Sequence, residues 1–160
     1  MTELTVGMKA PDFCLPDSDE QLICLAEQRG IYVVVYFYPK DNSSGCTHEA
    51  RAFSDAIETF ARDNTPVYGI SPDSIASHRR FSEKQHLTVN LLSDPTLQAI
   101  EAYGVWKQKK MYGREYMGVE RSTFIIDPEG MIAHIWRKVK VKGHVDEVLA
   151  RLEELRAQGR

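Results

Sequence analysis

Apolar positions along the chain fall into short blocks whose spacing alternates between strand-like and helix-like. The densest block, Ile31-Tyr32-Val33-Val34-Val35-Tyr36-Phe37-Tyr38, is β-branched and aromatic throughout and stops at Pro39. A run with no polar alternation predicts a strand covered on both faces. Phe53, Ala56, Ile57 and Phe60 then recur at i, i+3, i+4 and i+7. That stripe predicts a helix starting near Cys46 and ending before Pro66. A short strand over Pro66 to Ser71 comes next, followed by a helix from Ser74 to His86 carrying Ile75 and Phe81. Leu91-Leu92 predicts a strand and Pro95 to Tyr103 a helix, with the proline in its first turn. Arg121 to Asp127 and Met131 to Val139 predict two strands joined by the turn Asp127-Pro128-Glu129-Gly130. Val145, Val148, Leu149, Leu152 and Leu155 give the core face of a last helix, about Val145 to Ala157. Two weaker strands are expected around Phe13 and Leu22. Strands alternating with helices make the class α/β, with a hairpin on part of the sheet.

Length and composition narrow the function. At 160 residues the chain fits one domain, 1–160, large enough to bury a core without disulfide or metal staples. No repeat, low-complexity tract or linker interrupts it. Lys+Arg 20 against Asp+Glu 23 gives a net charge of −3, which argues against a general nucleic-acid binder. No apolar run approaches the roughly 18–20 residues of a membrane span. Met1-Thr2-Glu3-Leu4-Thr5 lacks the apolar stretch of a secretory signal. Three cysteines, an odd number, do not suggest a disulfide framework, so a reducing cytoplasm is the expected compartment.

The chemistry concentrates between the first buried strand and the first helix, in Tyr36-Phe37-Tyr38-Pro39-Lys40-Asp41-Asn42-Ser43-Ser44-Gly45-Cys46-Thr47-His48-Glu49-Ala50. Cys46 falls in the expected first turn of that helix. Unpaired backbone N–H groups and the positive dipole end stabilise an anion there, and a thiolate is an anion. Gly45 lets the backbone approach closely, and Ser43 offers a hydroxyl that donates and accepts. Against this stands the plain alternative that a single cysteine is a small buried hydrophobe. Spacing alone does not decide between the two.

Pro39-x-x-x-Ser43-x-x-Cys46 resembles the Pro-x-x-x-Thr/Ser-x-x-Cys motif of peroxiredoxins (the AhpC/TSA family). Tyr-Pro-Lys-Asp-Asn before Gly-Cys-Thr is similar to the bacterioferritin comigratory protein, or peroxiredoxin Q, branch in particular. Ala10-Pro11-Asp12-Phe13 agrees, as do Val105-Trp106, Tyr112-Gly113 and the stretch Tyr116-Met117-Gly118-Val119-Glu120-Arg121-Ser122-Thr123-Phe124-Ile125-Ile126-Asp127. The resemblance runs from about residue 5 to 155. It implies a thioredoxin-like fold, with a central mixed β-sheet flanked by helices, and thiol-dependent reduction of hydrogen peroxide or organic hydroperoxides. It implies that Cys46 is the nucleophile that becomes a sulfenic acid. Arg121 would stabilise the thiolate and hold the peroxide oxygens, Ser43 would bond the peroxide, and Pro39 would shield the cysteine from water. No metal or organic cofactor is implied. The oligomeric state implied is a monomer or a weak homodimer.

The chain departs from the branch at the positions of its second, resolving cysteine. Five residues beyond Cys46 stands Arg51, and about 36 residues beyond stands Ser82. The expectation is therefore a one-cysteine mechanism, with an external thiol such as thioredoxin or glutathione reducing Cys46. Cys14 and Cys24 read as buried small hydrophobes in strands, the sharper alternative being an unusual resolving cysteine. Ser44 replaces the usual proline and frees the loop before Cys46. Arg51 reads as solvated. Glu49 reads as a partner for Arg121, for backbone N–H groups or only for the dipole. His48 lies two residues beyond Cys46 and points elsewhere, so it is not read as a base. The basic runs Lys107, Lys109, Lys110, Arg114 and Arg137, Lys138, Lys140, Lys142 read as solvated faces, or else as docking or anion-attracting surfaces. The rival functions are a peroxide sensor that passes oxidation to a partner protein, and a cysteine hydrolase, which would need a histidine base.

Overall fold

The computed structural model describes residues 3–158. Met1 and Thr2, used in the reading of the N-terminus, lie outside them.

The apolar run after Ile31 forms β3 (Val33–Phe37), buried at every residue and central in a five-stranded sheet. It pairs in parallel with β4 (Val67–Ser71), which pairs in parallel with β5 (Asn90–Ser93). On its other side it pairs antiparallel with β8 (Ser122–Ile126), and β8 with β9 (Ile132–Trp136). The sheet is thus mixed, in the order β5-β4-β3-β8-β9.

Alternation along β3 divides the core in two. Val34, Tyr36 and Tyr38 face α1 (Ser44–Asp55), α2 (Ile57–Arg62), α3 (Ile75–Gln85) and α5 (His144–Ala157), through Phe53, Phe60, Phe81, Val148 and Leu152. Val33, Val35 and Phe37 face the opposite layer, which holds Phe13, Leu15, Leu25, Ile100 of α4 (Gln98–Ala102), Tyr103 and Val105. Phe13 and Leu15 belong to an N-terminal hairpin of β1 (Cys14–Pro16) and β2 (Leu22–Cys24), a small sheet of its own. The expected α/β class, with a central mixed sheet flanked by helices, is the one observed.

Four expectations need correction. The helix after Cys46 breaks at Ala56, giving α1 and α2, because the Ala56 backbone leaves helical geometry there. The helix placed at Pro95 begins at Gln98, since the Asp94 carboxylate accepts from the Gln98, Ala99 and Ile100 N–H groups and caps it there. An exposed hairpin, β6 (Trp106–Met111) and β7 (Arg114–Val119), turns at Tyr112-Gly113 where no strand is expected from the sequence. Cys14 and Cys24 are neither unpaired nor small buried hydrophobes. They face each other across β1 and β2 and form a disulfide, with Cys14 exposed.

Candidate active site

β3 and β8 bring the site together from distant parts of the chain. β3 ends at Phe37, opposite Ser122 of β8. Its chain continues through Tyr38 and half-buried Pro39 into α1, while Arg121 precedes β8 at the same edge. Cys46 is the third residue of α1 and is 1% exposed. N–H groups in a helix's first turn have no partner within the helix and point beyond its end. Arg121 Nη2 donates to Cys46 Sγ at 3.2 Å, and Arg121 Nη1 donates to Glu49 Oε1 at 2.7 Å. One guanidinium therefore bridges the thiol and the carboxylate one helical turn beyond it. Gly45 makes room, since a Cβ there would stand 3.2 Å from Arg121 Nη2.

Glu49 is fully buried, and its second oxygen, Oε2, has no partner among the described residues. Burial pushes its carboxyl up to about 7, against the opposing pull of Arg121. Lys109 of β6 adds a further cation. Burial, and then repulsion from Arg121, hold its ammonium below the ordinary range.

The loop between β3 and α1 is fastened to its neighbours by a buried polar network. Asp41 Oδ1 accepts from Tyr38 Oη at 2.7 Å and Asp41 Oδ2 from Ser77 Oγ at 2.7 Å. His78 Nδ1 lies 2.7 Å from Asp41 Oδ2, and His78 Nε2 donates to the Leu92 carbonyl at 2.9 Å. The Asp41 N–H donates to Asp73 Oδ2, which also accepts from Ser71 Oγ. Burial works to raise the Asp41 carboxyl, but the bonds from His78, Tyr38 and Ser77 outweigh it and hold it below the usual carboxylate range. Asp41, Asp73 and His78 bring ligand-type atoms within 4.8 Å of one another. Those atoms are already engaged in the bonds above, so the cluster is a latch for the loop. The spacing of these residues gave no sign of it.

Of the residues singled out from the sequence, Cys46 and Arg121 are in contact. Ser43 caps α1 by position without a side-chain cap bond, and its hydroxyl donates to the Lys40 carbonyl at 3.1 Å. Glu49 takes up Arg121, one of the roles read for it. His48 and Arg51 are exposed. Cys46 is the free cysteine of the three, and neither Arg51 nor Ser82 supplies a thiol to it.

Residues 6–135 match the AhpC/TSA family model. The chain belongs to the AhpC/TSA family. Among curated members it is 47% identical to peroxiredoxin Bcp of Bacillus subtilis over 152 residues, 95% of this chain and 97% of that protein. It is 40% identical to peroxiredoxin Bcp of Escherichia coli, over 96% of this chain and 99% of that one. Among solved members, a Xylella fastidiosa PrxQ mutant superposes with a TM-score of 0.90 at 36% identity, covering 96% of this chain and 98% of its own. A bacterioferritin comigratory protein from Xanthomonas campestris, described for its alkyl peroxide reduction activity, superposes with a TM-score of 0.87 at 39% identity over 94% and 98%. The fold is the thioredoxin-like fold of this family.

Proposed function

We propose that Cys46 is the peroxidatic cysteine of a thiol-dependent peroxidase acting on hydrogen peroxide and organic hydroperoxides. The observation that carries this reading is the Arg121 guanidinium 3.2 Å from a sulfur in the first turn of α1. The Cys46 thiolate attacks one peroxide oxygen, an S–O bond forms as the O–O bond breaks, and water or an alcohol leaves with a proton. Arg121 pairs with the negative charge on sulfur and then with the charge developing on the leaving oxygen, and the α1 N–H groups act with it. The Ser43 proton is committed to the Lys40 carbonyl, which leaves the hydroxyl's lone pairs to accept from the peroxide O–H. Pro39 covers the thiolate and limits water. Nothing in these steps needs a metal or organic cofactor, because the O–O bond supplies the driving force.

The Cys46 sulfenic acid then needs a thiol from outside its own site, since positions 51 and 82 carry Arg and Ser. A thioredoxin or a small thiol such as glutathione fits that need. The compartment consistent with it is the cytoplasm, and among the described residues no helix is long and apolar enough to cross a membrane. The missing thiol also favours a second reading, a peroxide sensor that passes its oxidation to a partner protein. Steady-state peroxide consumption with a thiol reductant separates the two, since a peroxidase turns over many equivalents and a sensor about one. Replacement Cys46→Ser is expected to abolish consumption, and substantial surviving turnover would refute the assignment.

A further inference from the structure

The disulfide between Cys14 and Cys24 is surplus to the hairpin that carries it. The β1–β2 ladder is closed by Asp17 N–H donating to the Gln21 carbonyl and by Leu25 N–H donating to the Phe13 carbonyl, both at 2.9 Å. The Asp17 carboxylate holds the Asp19 and Gln21 N–H groups inside the turn. Phe13, Leu15 and Leu25 anchor the hairpin to the core. Cys14 and Cys24 sit directly opposite in the register, Cα atoms 4.0 Å apart, on the outer face. Reduction would thus leave two thiols side by side on a hairpin still held in place. Cys14 is exposed and opens on a groove of about 560 Å³ beside Ile75, Ala76 and Pro95, so an incoming thiolate can approach it. In a reducing compartment such a disulfide is typically catalytic or redox-sensing.

We infer that Cys14 and Cys24 form a second redox centre, the dithiol that reduces the Cys46 sulfenic acid of another copy of this chain. This rests on the peroxidase reading of Cys46 and names the thiol that reading leaves open. Transfer runs between copies because the central sheet intervenes within one. Cys46 belongs to the core layer on one face of β3, and the hairpin covers the other face with its sulfurs pointing away from it. The Cys14 thiolate attacks the Cys46 sulfur, an S–S bond forms, and the S–O bond breaks as hydroxide leaves and takes up a proton. The Cys24 thiolate then attacks the Cys14 sulfur, and Cys46 leaves as a thiolate. One sulfenic acid is reduced, two thiols become a disulfide, and one water is released. A dithiol protein of the thioredoxin class restores the pair by attacking exposed Cys14, with Cys24 leaving as a thiolate. The start of α1 must open for Cys46 to be reached. Ser44 in its first turn is exposed, and the cap makes no side-chain bond.

The test is intact mass and peptide mapping of the fully reduced chain after one equivalent of hydrogen peroxide, at protein concentrations spanning tenfold. The expected course is a gain of about 16 Da at Cys46. It is followed by a species about 2 Da lighter than the reduced chain, with Cys14 joined to Cys24 and Cys46 free. The second step should run tenfold faster at tenfold higher concentration. The Cys14→Ser/Cys24→Ser variant should gain 16 Da and keep it. Three results would overturn the relay: loss of the added oxygen from that variant at the parent rate, a second step independent of concentration, or a pair that reduced thioredoxin leaves oxidised. If the variant never gains oxygen at Cys46, the peroxidase reading itself falls, which is a distinct result.

Discussion

Replacing Glu49 by Gln tests the electrostatics beneath Cys46. Glu49 is fully buried, bonded through one oxygen to Arg121, and without a described partner at the other. Its carboxyl is raised from 4.5 to about 7, chiefly by burial. The unfolded chain releases this proton near 4.5 and the folded chain near 7, so between those values the folded state holds more protons. Stability therefore falls as pH rises through that window. At ~1.4 kcal/mol for each tenfold change, the interval corresponds to about 3 kcal/mol. For a chain of this size that is roughly 6–12 °C in Tm. Glutamine keeps the volume and one acceptor for Arg121 and does not titrate. Thermal melts of Cys46→Ser and Cys46→Ser/Glu49→Gln from about pH 4 to 8 isolate the carboxyl, because the thiol is absent from both. The gap between the two melting curves should shift against the glutamate form by that amount as pH rises. Parallel curves would refute the reasoning.

Two further substitutions probe the same site. Gly45→Ala places a Cβ 3.2 Å from Arg121 Nη2 and pushes the guanidinium off the sulfur by a few tenths of an ångström. Helix propensity favours the change, so kcat/KM for peroxide should fall roughly tenfold while Tm holds or rises. Equal losses in both would point to simple misfolding. Asp41→Asn removes an acceptor for Ser77 Oγ or His78 Nδ1 where water is excluded. An unmade buried bond costs about 1–3 kcal/mol, so denaturant unfolding should show that loss. An unchanged midpoint would mean that the latch contributes nothing.

What the sequence revealed, it revealed where local pattern and local chemistry coincide. The unbroken apolar run of β3 announces a central strand, and the motif around Pro39, Ser43 and Cys46 announces the loop and helix start that follow it. Arg121 was visible only through resemblance, because its proximity to Cys46 depends on the β3–β8 register. Glu49 was ambiguous for the same reason, since the helix places it one turn beyond the cysteine and the sheet alone brings Arg121 to it. The latch of Asp41, Asp73 and His78 joins two loops to α3 and leaves no periodic trace. The β6–β7 hairpin was missed because its residues are largely solvent-facing, so burial imposes little alternation on Trp106-Lys107-Gln108-Lys109-Lys110-Met111. Cys14 and Cys24 were misread because in three-residue strands a shift of one residue turns a side chain from core to solvent. Their register is fixed by the turn at Asp17 and by the anchoring of Leu15 and Leu25.

The most direct measurement is to expose the reduced protein to one equivalent of hydrogen peroxide with a sulfenic-acid trap present and to locate the trapped label by peptide mapping. The account predicts the label on Cys46, formed at a rate that drops sharply in Arg121→Ala. A label absent from Cys46, or one whose rate ignores Arg121, would contradict it.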